Sequence, residues 1–361
     1  MRVGFIIYGS LETRSGGFLY DRKLVAYLRS QGDDVQVFSL PWKSYPRHLL
    51  QNADRRWLDT LARAPLDILI QDELNHPSLF WLNRRLKARA RYPIVTIVHH
   101  LRSDEAHPWP LLPFYRAIEA RYLCSVDGFI CNSQATRASV LAMAGEGKPT
   151  IVAHPGREAH PPPLHQADIR MRAQEPGPLR LLFVGNIIPR KGLHTLLSAL
   201  ARLPDHVALL TLIGDHRVDA RYSQRLRKQA QRLNLEGRVH WAGPVSDVEL
   251  AQAYAHHHAL VAPSQYEGFG IVYLEAMAYG LIAVGTEAGG AGEVIRPGET
   301  GLLIPPGDAD ALAGKLLWLA THRAEMAEMG IAARRVWMAH PTWEETGARI
   351  RDFLAGMSSQ R

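Results

Sequence analysis

The sequence predicts an α/β protein made of two tandem doubly wound domains, each with a parallel sheet covered by helices on both faces. At 361 residues the chain suits two domains of roughly 170 residues each. Short β-rich runs alternate with stretches of helical period, and the strands are almost continuously apolar, which indicates buried parallel sheets. A polar, Pro-rich stretch divides the alternation into two series, so we expect a cleft between two domains.

The first series of strands and helices predicts an N-terminal domain over residues 1–156. Stretches of helical period, such as 17–32 and 111–126, lie between its strands. The predicted strands are RVGFIIY (2–8), DVQVFSL (34–40), LDILI (66–70), PIVTIVHH (93–100), DGFICNS (127–133) and TIVAHPG (150–156).

Residues 157–178 are polar, Pro-rich and without period, and are predicted to be an interdomain linker. The alternation then resumes over 179–340, which predicts a C-terminal domain. The last residues, 341–361, are predicted to form a helix that can pack back on the N-terminal domain. The predicted strands of the second series are LRLLFVGN (179–186), VALLTLIGD (207–215), RVHWAG (238–243), HALVAPS (258–264) and LIAVGT (281–286).

Positive charge is concentrated in the N-terminal part of the chain. Residues 1–150 contain 20 Lys and Arg against 14 Asp and Glu, so they carry +6 of the formal net charge of +7. Five basic residues fall within NRRLKARARYP (83–93), where a helix over 83–91 is predicted. This basic face is either a solvated surface or a peripheral contact with an anionic membrane. Basic and aromatic residues are not interleaved as in RNA-binding proteins, so no nucleic-acid partner is expected.

The sequence favours a cytoplasmic protein, with any membrane contact made peripherally at the inner membrane surface. The apolar run in MRVGFIIYGS is too short for the core of a signal peptide and is predicted to be a strand. No stretch reaches the roughly 18 apolar residues of a membrane span. Cys124 and Cys131 fit neither a metal-ligand pattern nor a disulfide framework, so we expect both to be small buried side chains in a reducing compartment.

The segment SQYEGFGIVYLEAMAYG (264–280) places two glutamates eight positions apart. It follows a predicted strand, so Glu267 and the Gly-Phe-Gly turn lie at the carboxyl end of that strand, where doubly wound sheets bind ligands. Gly268 and Gly270 lack Cβ atoms and let the backbone N–H groups of the turn approach a ligand. The start of the following helix favours a phosphate or another electron-rich group.

The second glutamate, Glu275, shares one face of the predicted helix with Ile271 and Leu274. A carboxylate on that face needs hydrogen-bond donors, because an unpaired buried charge costs on the order of several kcal/mol. Ribose hydroxyls would serve Glu275, and the hydroxyls of a sugar would serve Glu267. The alternative is structural, with Glu275 paired to a buried arginine and Glu267 capping its helix.

Further motifs accompany the two glutamates: LIAVGTEAGGAGEVI (281–295) and GETGLLIPPGD (298–308). Weaker ones are Gly16-Gly17, VHH (98–100), NSQATR (132–137), GNIIPRKGL (185–193) and LIGD (212–215). Together these segments resemble the family 4 glycosyltransferases, whose hallmark is a glutamate, a Gly-rich turn and a second glutamate eight positions on. That resemblance implies the GT-B fold, two Rossmann-like domains with an interdomain cleft, and retaining chemistry.

The resemblance implies a role for each matching residue. Glu267 would contact hydroxyls of the donor sugar and Glu275 would bind the ribose, while the turn amides would hold the sugar and phosphate region. Arg190 and Lys191 would neutralise the leaving diphosphate, since glycosyl transfer develops negative charge there, unless they are solvated cations at a helix start. The donor-binding set that the resemblance implies is Gly16, Gly17, Gly185, Asn186, Gly268, Phe269, Gly270, Ile271, Glu275, Gly289 and Gly290.

One position departs from the family pattern. The family often has arginine directly after the strand glycine, Gly185, where this chain has Asn186. Either Arg190 takes over the contact with the diphosphate or that contact is weaker. Gly289 and Gly290 indicate a close approach of the backbone to the donor from the C-terminal domain.

The resemblance also assigns residues in the N-terminal domain. A histidine at the end of the fourth strand would hydrogen-bond the transferred sugar. His99 fits this register better than His100, whose side chain should point to the other face, although either is compatible with the motif. Gly16 and Gly17 would form a loop that admits the acceptor hydroxyl and the leaving phosphate, or else a simple turn.

The implied reaction moves a hexose-type sugar from a UDP or GDP sugar to an acceptor hydroxyl, in polysaccharide, lipid-linked glycan or glycolipid synthesis. Attack on the same face is expected, because these motifs place no carboxylate as a nucleophile beneath the sugar. Neither a cofactor nor a metal is expected: Asp308 should cap a helix, and the side chains of HHH (256–258) should alternate between faces. The alternatives are a non-catalytic nucleotide-sugar-binding subunit or scaffold, and a nucleotide-sugar epimerase.

Overall fold

The computed structural model describes residues 1–107 and 109–359, which form two compact units. The first unit combines Met1–Gly156 with the described residues from Pro341 onward, and the second unit is Arg157–His340. Each unit has a six-stranded parallel sheet with flanking helices, which confirms the predicted fold class. The last two residues of the predicted helix 341–361 lie outside the described residues.

The first unit begins with strand β1 and alternates strands and helices up to β6. Its strands are β1 (Arg2–Tyr8), β2 (Asp34–Leu40), β3 (Ile68–Asp72), β4 (Ile94–Val98), β5 (Gly128–Cys131) and β6 (Thr150–Val152). Its helices in this part are α1 (Gly16–Ser30), α2 (Tyr45–Gln51), α3 (Arg55–Arg63), α4 (His76–Lys87), α5 (Leu112–Ser125) and α6 (Gln134–Ala144). The strands lie in the order β2-β1-β3-β4-β5-β6.

The second unit repeats the alternation. Its helices are α7 (Gln166–Gln174), α8 (Leu193–Leu200), α9 (Ala220–Arg232), α10 (Asp247–His256), α11 (Ile271–Ala278), α12 (Ala291–Val294), α13 (Ala309–Thr321) and α14 (Arg323–Ala339). Its strands are β7 (Leu179–Val184), β8 (Ala208–Ile213), β9 (Val239–Gly243), β10 (Ala259–Val261), β11 (Ile282–Thr286) and β12 (Gly301–Ile304), in the order β12-β11-β10-β7-β8-β9. The short β12 was not among the predicted strands.

Strand order determines where a ligand site is expected. All residues of β4 and β11 are buried, which explains their continuous apolar character. The order reverses beside β1 in the first sheet and beside β7 in the second. Crossovers leave in opposite directions at such a point, so a crevice forms at the carboxyl ends of the neighbouring strands. In the second unit this point lies between β7 and β10.

The second half of the predicted interdomain linker, 157–178, contains a helix that the lack of period did not indicate. This helix, α7, belongs to the second unit, and its residue Ile169 is buried there. The guanidinium of Arg172 donates to the carbonyls of Ala255 and Tyr279 at 3.0 and 2.8 Å. A short polar helix has little apolar periodicity, so the sequence pattern does not indicate α7. These tertiary hydrogen bonds stabilise the helix instead.

Two local predictions also need correction. The helix predicted over 83–91 is the end of α4 and stops at Lys87, so Arg89 and Arg91 lie beyond it. Lys87 pairs with Asp127 at 2.8 Å, which neutralises part of the basic face. Cys131 is buried as expected, but Cys124 is exposed, because it lies on the outer face of α5.

The C-terminal helix α15 (Trp343–Ser359) packs on α1 within the first unit. Arg351 donates to the buried carboxylate of Asp33 at 2.7 Å. Gly347 lets the two helices meet, because a Cβ there would lie 2.4 Å from the ring of Tyr27. The helix is therefore part of the first unit although it follows the whole second unit in sequence.

Replacing Gly347 with alanine should destabilise the first unit, whereas Gly356→Ala should not. Both glycines lie in α15, where alanine is favoured over glycine by about 1 kcal/mol. A new Cβ at 347 would collide with Tyr27, while a Cβ at 356 meets nothing within 4 Å. We expect Gly347→Ala to lower the thermal midpoint by roughly 2–8 °C and Gly356→Ala to leave it unchanged or raise it. Equal midpoints for the two variants would contradict this packing.

Candidate functional site

The loops after β7 and β10 in the second unit carry most of the predicted catalytic and donor-binding residues taken together. Arg190 and Lys191 follow β7, and Glu267 with the Gly-Phe-Gly turn follows β10. The two strands are neighbours and lie where the strand order reverses. The topology therefore brings both loops to the same end of the sheet.

Glu267 is buried and surrounded by hydrogen-bond donors. Its Oε1 accepts from Lys191 Nζ at 2.5 Å and from Ser264 Oγ at 2.7 Å. A guanidinium nitrogen of Arg190 lies 3.7 Å from its Oε2 and donates to the backbone carbonyl of Tyr266 at 2.9 Å. One carboxylate therefore faces two cations at this end of the sheet.

The charge of Glu267 is set by those cations. Burial alone would raise the pKa of the Glu267 carboxyl, but the positive charges of Lys191 and Arg190 outweigh burial and lower this pKa to about 2. Glu267 is thus ionised at neutral pH, and the three side chains together carry a net positive charge. The alternative in which Glu267 caps its helix is wrong, because the residue before α11 is Gly270.

The Gly-Phe-Gly turn leads directly into α11. Gly270 has a φ of +90°, and a Cβ there would lie 2.3 Å from the ring of Tyr273. Gly268 and Phe269 are buried beside it. Because the helix begins at Ile271, its first backbone N–H groups have no partner one turn earlier within the helix. Such a helix start is suited to an anionic group of a ligand.

Glu275 lies within α11 and is half-buried. The hydroxyl of Tyr254 donates to its Oε2 at 2.7 Å, and the Tyr254 ring stacks on Tyr279 with centroids 5.4 Å apart. Burial raises the pKa of Glu275 to about 6, and the hydrogen bond from Tyr254 opposes that rise. Among the described residues Tyr254 is the one donor to Glu275, so the buried-arginine alternative is wrong. The carboxylate keeps the capacity to accept further hydroxyl groups.

Glycines with positive φ bring the surrounding loops against Glu267. Gly289 has a φ of +83°, and a Cβ there would lie 2.1 Å from the Glu267 carbonyl oxygen, to which Gly290 donates its N–H at 2.8 Å. Gly192 has a φ of +69°, and a Cβ there would lie 1.9 Å from the Pro263 carbonyl oxygen. The loop after β7 can therefore lie against the end of β10 only because residue 192 has no side chain.

Gly185 and Asn186 form the start of the loop after β7. The N–H of Gly185 donates to the carbonyl of Ile213 at 3.0 Å, which extends the sheet by one residue. The carbonyl of Asn186 accepts from the N–H of Ile188 at 3.0 Å and turns the chain back. Within the described chain the side-chain amide of Asn186 makes no hydrogen bond, so it can donate to a ligand.

In the first unit, His99 follows β4 and faces two buried carboxyl groups. Its Nε2 lies 3.3 Å from Oδ1 of Asp21, and both Asp21 and Asp72 are fully buried. Gly17 lies against the imidazole, because a Cβ there would be 3.0 Å from His99 Cδ2, whereas Gly16 is exposed. The second glycine of the pair therefore lies beside the histidine.

The two histidines after β4 have different partners. His100 Nε2 lies 2.8 Å from Oε1 of Glu105, whereas His99 faces Asp21. Burial raises the pKa of Asp21 to about 8 and that of Asp72 to about 7, and it lowers the pKa of His99. The acidic pair therefore holds protons more strongly than exposed carboxyl groups do, which reduces the charge buried there.

Two sets of buried side chains in the first unit each bring three potential metal ligands within 4.8 Å of one another. Burial raises the carboxyl pKa values in both sets, that of Glu119 to about 7, so these carboxyl groups hold their protons more strongly than exposed ones do. The two sets are Asp21 with Asp72 and His99, and Glu73 with His76 and Glu119.

In the second unit Asp308 caps α13, as predicted, and accepts a hydrogen bond from the N–H of Ala311 at 2.8 Å.

Comparison with known proteins identifies the family. The model described as Glycosyltransferase Family 4 matches residues 16–159, and the model described as Glycosyl transferases group 1 matches residues 166–336. D-rhamnosyltransferase WbpZ of Pseudomonas aeruginosa is 31% identical over 291 residues, which are 74% of this chain and 74% of that protein. This chain belongs to glycosyltransferase family 4.

Other known proteins are similar to this glycosyltransferase. The GDP-mannose-dependent alpha-(1-6)-phosphatidylinositol monomannoside mannosyltransferase of Mycobacterium tuberculosis is 29% identical over 279 residues, covering 72% of this chain and 70% of that protein. The structure of sucrose-phosphate synthase from Thermosynechococcus elongatus matches with a TM-score of 0.84 at 23% identity over 100% of both chains. Anabaena HepE in complex with UDP-glucose matches with a TM-score of 0.78 at 20% identity, over 99% of this chain and 100% of that chain. These structures show that the glycosyltransferase has the GT-B fold.

Several residues of this glycosyltransferase that surround the predicted site residues were not indicated by the sequence. Ser264 and Tyr254 donate to the two glutamates, and Asp21 and Asp72 lie beside His99. Ser264 ends the predicted strand directly before the motif, so its position in sequence could have indicated that it lies close to Glu267. Asp21 lies 78 residues from His99 in sequence, and no local pattern relates the two.

The stability that ionised Glu267 contributes to the glycosyltransferase should be lost in acid. Its folded pKa of about 2 lies below the roughly 4.3 of an unperturbed glutamate, so its contribution is complete above about pH 5 and disappears as the pH falls through the folded value. We expect the difference in unfolding free energy between the wild type and Glu267→Gln to shrink by up to about 3 kcal/mol between pH 5 and pH 2. Urea unfolding at a series of pH values measures this difference.

The control for this titration is Glu325→Gln, which changes an exposed glutamate of α14. Its difference from the wild type should stay nearly constant over the same pH range. A constant difference for Glu267→Gln as well would show that Lys191 and Arg190 do not hold the carboxylate ionised.

Proposed function

We propose that this glycosyltransferase moves a hexose-type sugar from a UDP or GDP sugar to an acceptor hydroxyl, with retention at the anomeric carbon. The observation that carries the proposal is the buried Glu267 carboxylate, which Lys191 and Arg190 hold ionised beside the start of α11. A carboxylate in this state accepts hydrogen bonds from sugar hydroxyls. It also stabilises the positive charge that develops on the sugar during transfer.

The nucleotide would bind at the loops after β7 and β10. Among the described residues the carboxylate of Glu275 has one donor, Tyr254, and it would accept the ribose hydroxyls with its remaining capacity. The N–H groups at the start of α11 would face the diphosphate. The mycobacterial relative is named for GDP-mannose, and the HepE structure contains UDP-glucose, so we extend a nucleotide-sugar donor of either type to this chain.

Lys191 and Arg190 would neutralise the leaving diphosphate, and this step would need neither a metal nor a cofactor. Lys191 is held by Glu267, and Arg190 is held by the carbonyl of Tyr266. Charges that are positioned before the reaction lower the barrier without reorganising as the leaving group departs. The amide of Asn186 would add a donor at the position where the family often has an arginine.

Retention would result from attack on the face that the diphosphate leaves. A double displacement requires a carboxylate nucleophile beneath the sugar. Glu267 is a poor nucleophile, because its pKa of about 2 makes it a weak base and Lys191 and Ser264 already occupy Oε1. An oxygen of the departing phosphate would accept the proton of the acceptor hydroxyl. A covalent sugar adduct on Glu267, trapped and located by mass spectrometry, would contradict this mechanism.

We assign His99, in the first unit, a hydrogen bond to the transferred sugar. Its Nε2 faces Asp21, and among the described residues no side chain bonds its Nδ1, which is therefore the nitrogen left for a sugar hydroxyl. Gly16 and Gly17 begin α1 and would leave room for the acceptor hydroxyl. The acceptor would belong to polysaccharide, lipid-linked glycan or glycolipid synthesis.

Binding of the donor should depend on the ionisation of Glu275. Because burial raises its pKa to about 6, the carboxyl is mostly protonated at pH 5 and then accepts fewer ribose hydroxyls. We expect the affinity for the preferred donor, UDP-glucose or GDP-mannose, to rise roughly tenfold from pH 5 to pH 7. Titration calorimetry measures this change, and the diphosphate diesters keep a constant charge over this range.

Glu275→Gln should bind the same donor weakly and with little dependence on pH, because the amide cannot ionise. Glu236→Gln changes an exposed glutamate after α9 and should bind as the wild type does. Affinity and pH dependence that are unchanged in Glu275→Gln would exclude the ribose role.

Lys191→Met should slow transfer more than it weakens donor binding. Its positive charge acts mainly on the negative charge that develops as the diphosphate leaves, so we expect kcat to fall by roughly 10²–10³ with little change in KM. Lys315→Met, on the exposed side of α13, is the matched control and should keep full activity. Assays of UDP or GDP release provide kcat and KM, and a thermal scan checks folding. A raised KM with unchanged kcat would mean that Lys191 only binds the donor.

A further inference from the structure

Helix α9 of the second unit carries five cations and no acidic side chain over Ala220–Arg232. Four of these cations recur at intervals of four, three and four residues, which places them on one face of the helix. At about 1.5 Å per residue, this row of positive charge is roughly 16 Å long. We call it the basic row, and its members are the exposed side chains of Arg221, Arg225, Lys228 and Arg232.

The charge of the basic row is not neutralised by the protein. Like charges four residues apart, such as Lys228 and Arg232, destabilise a helix, and solvated helix surfaces usually mix both signs. Among the described residues no carboxylate forms an ion pair with any member of the row. Asp219 lies beside the start of the row, but its carboxylate accepts from the N–H of Tyr222 at 2.9 Å and caps α9. The positive charge is therefore available to a ligand.

A cleft of about 730 Å³ lies along the basic row. Arg225, Lys228 and Arg232 line this cleft, and none of the described residues that line it is acidic. Its volume is typical of sites for small ligands. A concave surface with one sign of charge also concentrates ions of the opposite sign. The cleft is therefore suited to a small anionic ligand.

Hydrogen bonds between α8 and α9 hold the walls of the cleft together. The Nδ1 of His194 lies 2.8 Å from the hydroxyl of Tyr222, and both residues line the cleft. The side-chain amide of Gln229 donates to the carbonyl of His194 at 2.9 Å. Within the described chain the Nε2 of His194 makes no hydrogen bond, so it can bind an oxygen atom of a ligand. The walls are thus fixed before a ligand binds.

The cleft is a different site from the candidate donor site, although the two are neighbours. Pro189 lines the cleft and directly precedes Arg190 and Lys191 in the loop after β7. Neither of these two cations lines the cleft. An anion in the cleft would therefore meet the cations of α9 and not those that face Glu267.

The other basic segment of the chain, 83–91, offers less unpaired charge. Lys87 pairs with Asp127 and Arg89 pairs with Asp59, each at 2.8 Å. Within the described residues no helix is long and apolar enough to cross a membrane. The basic row therefore remains the stronger candidate for a site that recognises an anion.

We propose that this cleft binds a small ligand that carries several phosphate groups. The guanidinium groups of arginine donate paired N–H groups to phosphate oxygens, and lysine adds a compact positive charge. Three cations in a row match neighbouring phosphate groups better than a single phosphate, because each group can meet a cation of its own. The proposal depends on neither the sugar donor nor the mechanism of transfer.

Titration calorimetry of the full chain with inorganic tripolyphosphate, in a buffer without divalent cations, tests the proposal. The wild type should bind tripolyphosphate, and its affinity should fall as the salt concentration rises. Inorganic phosphate should bind at least about tenfold more weakly, because it can meet fewer cations of the row. Absence of binding at low salt, or equal affinity for the two anions, would overturn the proposal.

A double variant, Arg225→Gln with Lys228→Gln, tests the position of the site. We expect it to weaken tripolyphosphate binding at least about tenfold, because two charge-assisted contacts are lost. Both positions are exposed, so the thermal midpoint without ligand should change little. Tripolyphosphate should raise the midpoint of the wild type more than that of the variant. Unchanged affinity in the double variant would overturn the proposal.

A matched double variant, Arg227→Gln with Lys315→Gln, removes the same net charge outside the cleft. Arg227 lies over the ring of Trp241 at 4.7 Å, and Lys315 is exposed on α13. This variant should bind tripolyphosphate as the wild type does. An equal loss of affinity in both double variants would show that only the overall charge attracts the anion, which contradicts a site in the cleft.

Lys191→Met separates the cleft from the donor site. This variant should keep the binding event that the double variant of Arg225 and Lys228 loses. If Lys191→Met abolishes binding and the double variant does not, the anion binds at the loop after β7 and the proposal is wrong.

Discussion

The rest of the candidate donor site depends on the buried ion pair between Lys191 and Glu267. The pair joins the loop after β7 to the loop after β10, so the lysine and the glutamate hold each other in place before any ligand binds. A buried ion pair is costly to desolvate unless other groups satisfy it, and here Ser264 and Arg190 do so. Gly192 makes the pair possible, because any side chain there would push the two loops apart.

The two units manage buried charge in opposite ways. In the second unit, cations keep the Glu267 carboxylate ionised despite burial. In the first unit, burial raises the pKa values of Asp21 and Asp72, and both carboxyl groups lie beside His99. An ionised group suits contact with a sugar that gains positive charge, whereas the raised pKa values of Asp21 and Asp72 reduce the negative charge beside His99. The excess positive charge of the first unit lies instead on its surface.

Most of the fold could be predicted from the sequence, and two of the four errors have a common cause. Eleven of the twelve strands were predicted, because near-continuous apolar runs bounded by turn residues are typical of buried parallel strands. The errors were helix α7 within 157–178, the end of the helix at Lys87, the missing strand β12 and the burial of Cys124. Helix α7 depends on hydrogen bonds to distant carbonyls and β12 on pairing with β11, and local periodicity contains neither.

The sequence by itself determined the two series of strands, the family and the identity of both glutamates, because these depend on residue types at short spacings. Tertiary structure alone decided what each glutamate contacts. Glu267 meets Lys191 across 76 residues of sequence, and Glu275 meets Tyr254 across 21. The pKa of a carboxyl depends on burial and on charges within a few ångströms, and those distances exist only after the strands have paired and the loops have met.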